Sequence, residues 1–202
     1  MLVAYGHSWI DGDGASGPER NLVSLAAARL GLAAVNRGVG GSRSGETAAL
    51  VDADPPPPAA RAVLLMTGLN DSRFSGTAEA ALAAYAEALD VILTAVRHAA
   101  PLAAVVAVEQ PHLVDYSLHS PYDNGSDAVL DAYNGVLRRI AATHHGVDVV
   151  RVLGWDPLTM LSEDTVHPND LGHAEIAAAV AEHLGRRMSV PGPVDGGWMR
   201  PH

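Results

Sequence analysis

The chain has 202 residues, of which 48% are hydrophobic and only 4% aromatic, and a formal net charge of −10 with histidine counted neutral. That length fits one domain with one well-filled core of Ala, Val and Leu, and the acidic balance argues against nucleic acid and acidic membrane surfaces as partners. The absence of cysteine excludes a disulfide framework, a thiol nucleophile and thiolate metal sites. No stretch reaches the ~20 apolar residues that a membrane span needs. The N-terminus lacks the basic and apolar regions of a signal peptide, so a cytoplasmic location is expected.

Short β-rich apolar runs alternate with longer Ala-rich helical patterns. Residues 2–5 read as a first strand, ended by Gly6, and 21–30 as a helix stopped by Gly31. Residues 32–35 form a weak second strand before the glycine-rich stretch at 36–45, and 44–51 suit a short helix. Four prolines, 55–58, make a stiff connector. The continuous apolar run 62–66 predicts a strand buried on both faces. An amphipathic helix is expected over 77–98, a strand over 102–108, a polar loop over 110–124, a helix over 128–143, a strand over 147–152 and a last helix over 171–187. The domain is expected to occupy 1–188, with a Gly/Pro-rich tail at 189–202. The βαβα order predicts an α/β fold with a parallel sheet covered by helices on both faces, and ligands outside the carboxyl ends of the strands.

The polar motifs fall at those ends. Ser8, in the Gly6–His7–Ser8–Trp9 sequence, follows the first strand directly, as either a nucleophile presented by a rigid support or an ordinary turn or capping serine. It is not in a G-x-S-x-G elbow. Asp164 and His167, followed by Pro168, have the types and spacing of a base and its orienting carboxylate. A serine hydroxyl needs a base, and the imidazole needs an acceptor on its other nitrogen. The competing reading makes Asp164 or Asn169 a helix cap. Asn70, in Gly68–Leu69–Asn70–Asp71, is an amide donor for an oxyanion or an Asx-turn. The glycines at 38, 40, 41 and 45 permit close backbone approach to a ligand. A phosphate cradle ranks low, because neither G-x-x-x-x-G-K-[ST] nor a first-turn G-x-G-x-x-G is present. Ten histidines raise metal binding, but His112, His119, His144, His145, His167 and His173 show no metal-ligand spacing. Arg43 and Arg73 flank the motifs, either to hold an anionic substrate group or as surface arginines.

Taken in order, GHSW (6–9), NRGVGG (36–41), GLND (68–71) and DTVHP (164–168) resemble the blocks of the SGNH hydrolase superfamily, the GDSL esterases and lipases. The resemblance spans almost the whole chain. It implies a three-layer α/β/α sandwich with a five-stranded, flavodoxin-like parallel sheet. It also implies Ser8, Asp164 and His167 as catalytic residues and an oxyanion hole from the N–H groups of Ser8 and Gly41 and the Asn70 side chain. One position departs from the family pattern: the usual Asp before the serine is His7, a hydrogen-bonding substitute or a residue bearing on substrate choice. The implied activity is hydrolysis of carboxylic esters of a small molecule, sugar or lipid through an acyl-serine, with no metal or organic cofactor. The alternatives are an acyltransferase using the same site and a non-catalytic, flavodoxin-like binding module.

Overall fold

The computed structural model describes residues 1–189. Its centre is the apolar run read as a doubly buried strand, β3 (Ala62–Met66), which is buried at every position. It pairs in parallel with β1 (Leu2–Gly6) on one side and β4 (Ala104–Val108) on the other. Strands β2 (Ala34–Gly38) and β5 (Val147–Val150) form the edges, giving the order β2-β1-β3-β4-β5.

Successive side chains of a strand point to opposite faces, and the two faces build separate cores. Leu2, Ala4, Ala62, Leu64, Met66, Val106 and Val108 pack chiefly against α2 (Leu22–Leu30) and α8 (Asp170–Ser189). Val3, Tyr5, Val63, Leu65, Val105 and Ala107 pack against α3 (Ser44–Ala53), α5 (Glu79–Ala99) and α6 (Asp127–Ala141). The result is a three-layer α/β/α sandwich on an all-parallel sheet. The chain runs outward from β1 in one direction to β2 and then crosses to β3 on the other side. The crevice at β1/β3 is therefore the topological switch point at which such sheets bind ligands.

Several elements differ from the sequence expectation. The second strand begins at Ala34 rather than 32 and runs through Asn36, Arg37 and Gly38. Its polar half is a strand because it pairs with β1 (Asn36 opposite Ala4, Arg37 opposite Tyr5), a partnership that hydropathy does not report. Three short helices are additional: α1 (Ser8–Asp11), α4 (Leu69–Ser75) and α7 (Pro157–Met160). At four to seven residues they are too short for a 3.6-residue period to appear; the His7 and Asp156 side chains cap α1 and α7. The expected tail lies outside the described residues except for Ser189, which ends α8. Among the described residues no helix is long and apolar enough to cross a membrane.

The turn from β1 into α1 depends on Gly6. Its φ is +152°, and a Cβ there would lie 1.9 Å from the Met66 carbonyl oxygen of the neighbouring strand. That oxygen belongs to backbone and cannot swing away. Gly6→Ala is therefore expected to destabilise the protein by about 2–4 kcal/mol, in the range of severe overpacking. Urea unfolding followed by far-UV circular dichroism measures it, and a change below about 0.5 kcal/mol would refute the contact.

Candidate active site

Every sequence motif lies at the carboxyl end of a strand. Ser8 is the first residue of α1, immediately after β1, and only 4% exposed. His167 reaches it from the loop before α8, with Nε2 3.1 Å from Ser8 Oγ. On the far side of the ring, His167 Nδ1 lies 2.5 Å from Asp164 Oδ2. Three side chains separated by up to 159 positions thus form one hydrogen-bonded line.

The loop holding His167 is closed by its own backbone. Ser162 N donates to His167 O (2.8 Å), Thr165 N donates to Ser162 O (3.0 Å), and Leu161 bridges to Pro168. Thr165 takes a left-handed conformation, φ +62°, at the tip. Asp164 Oδ1 accepts from Val166 N (2.9 Å), His167 N (2.9 Å) and Ser162 Oγ (2.7 Å). Partial burial opposes the carboxylate charge, but these bonds and the one from the imidazole outweigh it and hold its pKa well below the usual range. Of the capping alternative, the structure bears out Asn169, whose Oδ1 accepts from Leu171 N (3.0 Å) and Gly172 N (3.1 Å) at the start of α8. Asp164 uses Oδ1 to close its own loop and turns Oδ2 to the imidazole. The neutral ring then carries its proton on Nδ1 and presents the Nε2 lone pair to Ser8.

The glycine-rich turn after β2 folds back over the end of β1. Val39 N donates to Gly6 O (2.9 Å), as does Ser42 Oγ (3.3 Å). Gly41 adopts φ +74°, a conformation that costs glycine nothing. Asn70, the second residue of α4, is buried and donates through Nδ2 to Ser42 O at 2.9 Å. That bond couples Asn70 to the glycine turn and uses one amide hydrogen; the other has no partner among the described residues. The Asx-turn alternative finds no bond in the structure, because the side chain spans to another loop.

His7 is fully buried beneath Ser8 and caps α1, with Nδ1 accepting from Trp9 N at 3.3 Å. Burial, followed by the nearby His167, pushes its pKa down to about 3. The neutral ring must then carry its proton on Nε2, which lies 2.6 Å from the Gln110 side-chain amide. A donor there requires Gln110 Oε1 opposite it, and this oxygen is otherwise buried without a partner. Gln110 is held in turn by Asn134 of α6 through two backbone bonds, from Gln110 N and to Gln110 O, each 2.9 Å. His7 thus stands behind the serine as structural support, away from the solvent-facing side of the site.

Arg43 and Arg73 differ in exposure. Arg43 is exposed, with its guanidinium 4.9 Å over the Phe74 ring. Arg73 is 3% exposed beneath the polar loop and donates from Nη2 to Leu118 O at 3.2 Å. Of the remaining histidines, His119 approaches the site, its Nε2 3.2 Å from the Asp164 carbonyl oxygen, while His112 pairs with Asp131 and His144 with Asp90, both at 2.9 Å, and buried His173 accepts from Leu22 N (3.3 Å) and donates to Asp13 O (3.1 Å). Among the described residues no three His, Asp or Glu side chains gather as a metal site. Sequence reasoning missed Gln110, for which no local signal exists, and Trp9, which the first motif contains. Trp9 stacks on Trp155 (5.4 Å) and donates from Nε1 to Val166 O at 3.0 Å.

Residues 4–175 match the profile of the GDSL-like lipase/acylhydrolase family. The chain belongs to that family. Ester hydrolysis is accordingly its general chemistry. No curated protein sequence matches the chain. Among solved structures, it is similar to the lipase/acylhydrolase from Enterococcus faecalis (19% identity, 92% of this chain and 95% of that one, TM-score 0.70). It is also similar to an alpha/beta hydrolase enzyme from the metagenome of Lake Arreo (24%, 91% and 94%, 0.67) and to a protein from Lactobacillus plantarum (20%, 92% and 96%, 0.73). At these identities the structures speak for the fold.

Two expectations follow. His7 binds a proton near pH 6.5 when unfolded but only near pH 3 when folded. Its contribution to stability is therefore complete above pH 6.5 and declines as pH falls towards 3, at up to about 1.4 kcal/mol per pH unit. Urea midpoints between pH 7 and 4.5 should show this slope, and His7→Gln should flatten it; identical slopes would refute a neutral, buried His7. Trp9→Phe keeps a ring in the stack but removes the bond to Val166. It should cost about 1 kcal/mol and accelerate amide exchange at Val166 and His167 over that of β3, as read by hydrogen-exchange mass spectrometry. Unchanged exchange there would show that the bond does not hold the loop.

Proposed function

We propose that the protein is a serine esterase that cleaves carboxylic esters of small molecules through an acyl-Ser8 intermediate. The observation that carries this reading is the continuous line Ser8 Oγ–His167 Nε2 (3.1 Å) and His167 Nδ1–Asp164 Oδ2 (2.5 Å). Ser8 Oγ attacks the ester carbonyl as His167 Nε2 takes its proton. Asp164 holds the tautomer and balances the imidazolium charge. The oxyanion accepts hydrogen bonds from Ser8 N–H, Gly41 N–H and the free hydrogen of Asn70 Nδ2. Collapse breaks the bond to the alcohol oxygen, which leaves with the proton from Nε2. Water then gives a proton to Nε2, attacks the acyl-enzyme and releases the carboxylic acid, and the proton returns to Ser8.

A fluorophosphonate tests the nucleophile without knowledge of the substrate, since an ordinary serine hydroxyl is too weak to react at neutral pH. Peptide mass mapping should find one adduct per chain, on Ser8, and none in Ser8→Ala or His167→Ala. Turnover of p-nitrophenyl acetate should fall by several orders of magnitude in each variant, with little further loss in the double variant because the two act as a unit. Asn70→Ala should lower kcat by about 10²–10³ with a smaller change in KM. A folded protein that takes no label, or takes it on Ser42 or Ser72, would overturn the assignment.

A further inference from the structure

A carboxylate that the proposed mechanism does not use stands beside the proposed base. Asp13 lies in the turn after α1, and its backbone is held on both sides. Its N–H donates to Ser8 O at 3.0 Å, and its carbonyl accepts from His173 Nε2 at 3.1 Å. So held, Asp13 Oδ2 stands 3.8 Å from His167 Nε2, the nitrogen that also faces Ser8. The same oxygen would lie 3.5 Å from a Cβ on Gly40, so the carboxylate forms the rim between the base and the glycine turn. Its side chain is about half exposed, at 48%, and His167 is its one ion-pair partner among the described residues.

In the proposed reaction Nε2 delivers a proton to the departing oxygen, which must therefore come within about 3 Å of it. That oxygen is then no farther than about 7 Å from Asp13 Oδ2. A hydroxyl on the carbon adjacent to the one that bears the ester oxygen closes the gap with one hydrogen bond to the carboxylate. A carboxylate or phosphate in the same place meets a like charge. We propose that Asp13 selects the alcohol: it accepts a hydrogen bond from a hydroxyl vicinal to the ester oxygen and repels anionic leaving groups, so that the favoured substrates are esters of neutral polyhydroxy alcohols. The inference rests on the serine-esterase reading and adds the alcohol side of the substrate to it.

Three acetate esters separate the contributions: propyl acetate, glyceryl monoacetate and O-acetylglycolate. Their kcat/KM values are measured by pH-stat for the wild type, Asp13→Asn and Asp13→Ala. Ratios between esters are the readout, since a change in the basicity of His167 moves all three together. The wild type should prefer glyceryl monoacetate over propyl acetate by on the order of tenfold, the worth of one half-exposed charged hydrogen bond. Asp13→Ala should bring that ratio near one. O-acetylglycolate should be the poorest wild-type substrate and gain on the order of tenfold relative to propyl acetate in Asp13→Asn. Ratios that are the same in all three proteins, with Ser8 still labelled by fluorophosphonate, overturn the role of Asp13 alone. A wild type that turns over none of the esters and takes no label overturns the esterase reading, and this inference with it.

Discussion

The indole N–H of Trp9 donates to the carbonyl of Val166 across 3.0 Å and 157 positions of chain. It joins the helix that begins with Ser8 to the loop that carries His167, and the 3.1 Å approach between those two side chains depends on that junction. Neither segment positions the other by itself. The serine is set by the turn out of β1, and the imidazole by a short closed loop ahead of α8. Stacking of Trp9 on Trp155 fixes the indole plane, so a hydrophobic contact determines where a polar bond can form.

Beneath this junction runs a second chain of polar contacts, from Asn134 through Gln110 to His7 and on to Trp9 N–H. Its members are buried, and a buried polar group is costly unless paired. The pairing here leaves His7 neutral. The two histidines beside Ser8, His7 next to it in sequence and His167 across a 3.1 Å hydrogen bond, therefore sit in different surroundings. His7 is kept uncharged by burial, whereas His167 is a quarter exposed and has the Asp164 carboxylate at its Nδ1. A charged His7 would oppose the imidazolium that forms on His167 in the proposed reaction. The replacement of the family's usual Asp by His at this position is thus compatible with the site because the ring stays neutral.

The site also has two electrostatically different sides. Asp13 borders the base and the glycine turn, while Arg73 lies buried under the loop that follows β4. In a chain with a net charge of −10, the buried guanidinium is the exception. Burial lowers its pKa against the longer-range attraction of Asp164, and its Nη2 donates to the Leu118 carbonyl.

Patterns confined to a few consecutive residues were legible in the sequence. The run 62–66 coincides with β3 because a strand buried on both faces must be apolar throughout. The helix starting at Leu22 begins at Asn21 because the side chain of that residue caps it. The motif order identified which residues to compare, and the switch point of a parallel sheet indicated where they would meet. Tertiary structure alone decided the rest. Residues 36–38 are strand because β1 offers hydrogen bonds, and Asp164 turns one oxygen to His167 while N–H groups of its own loop hold the other. Arg43 and Arg73 part company because only one lies under the polar loop. Gln110 and Asp13 enter the site from elements with no distinguishing pattern of their own. Composition and periodicity report what each segment can bury; which partner a polar side chain meets depends on distances between segments far apart in the chain, and those exist only once the sheet has formed.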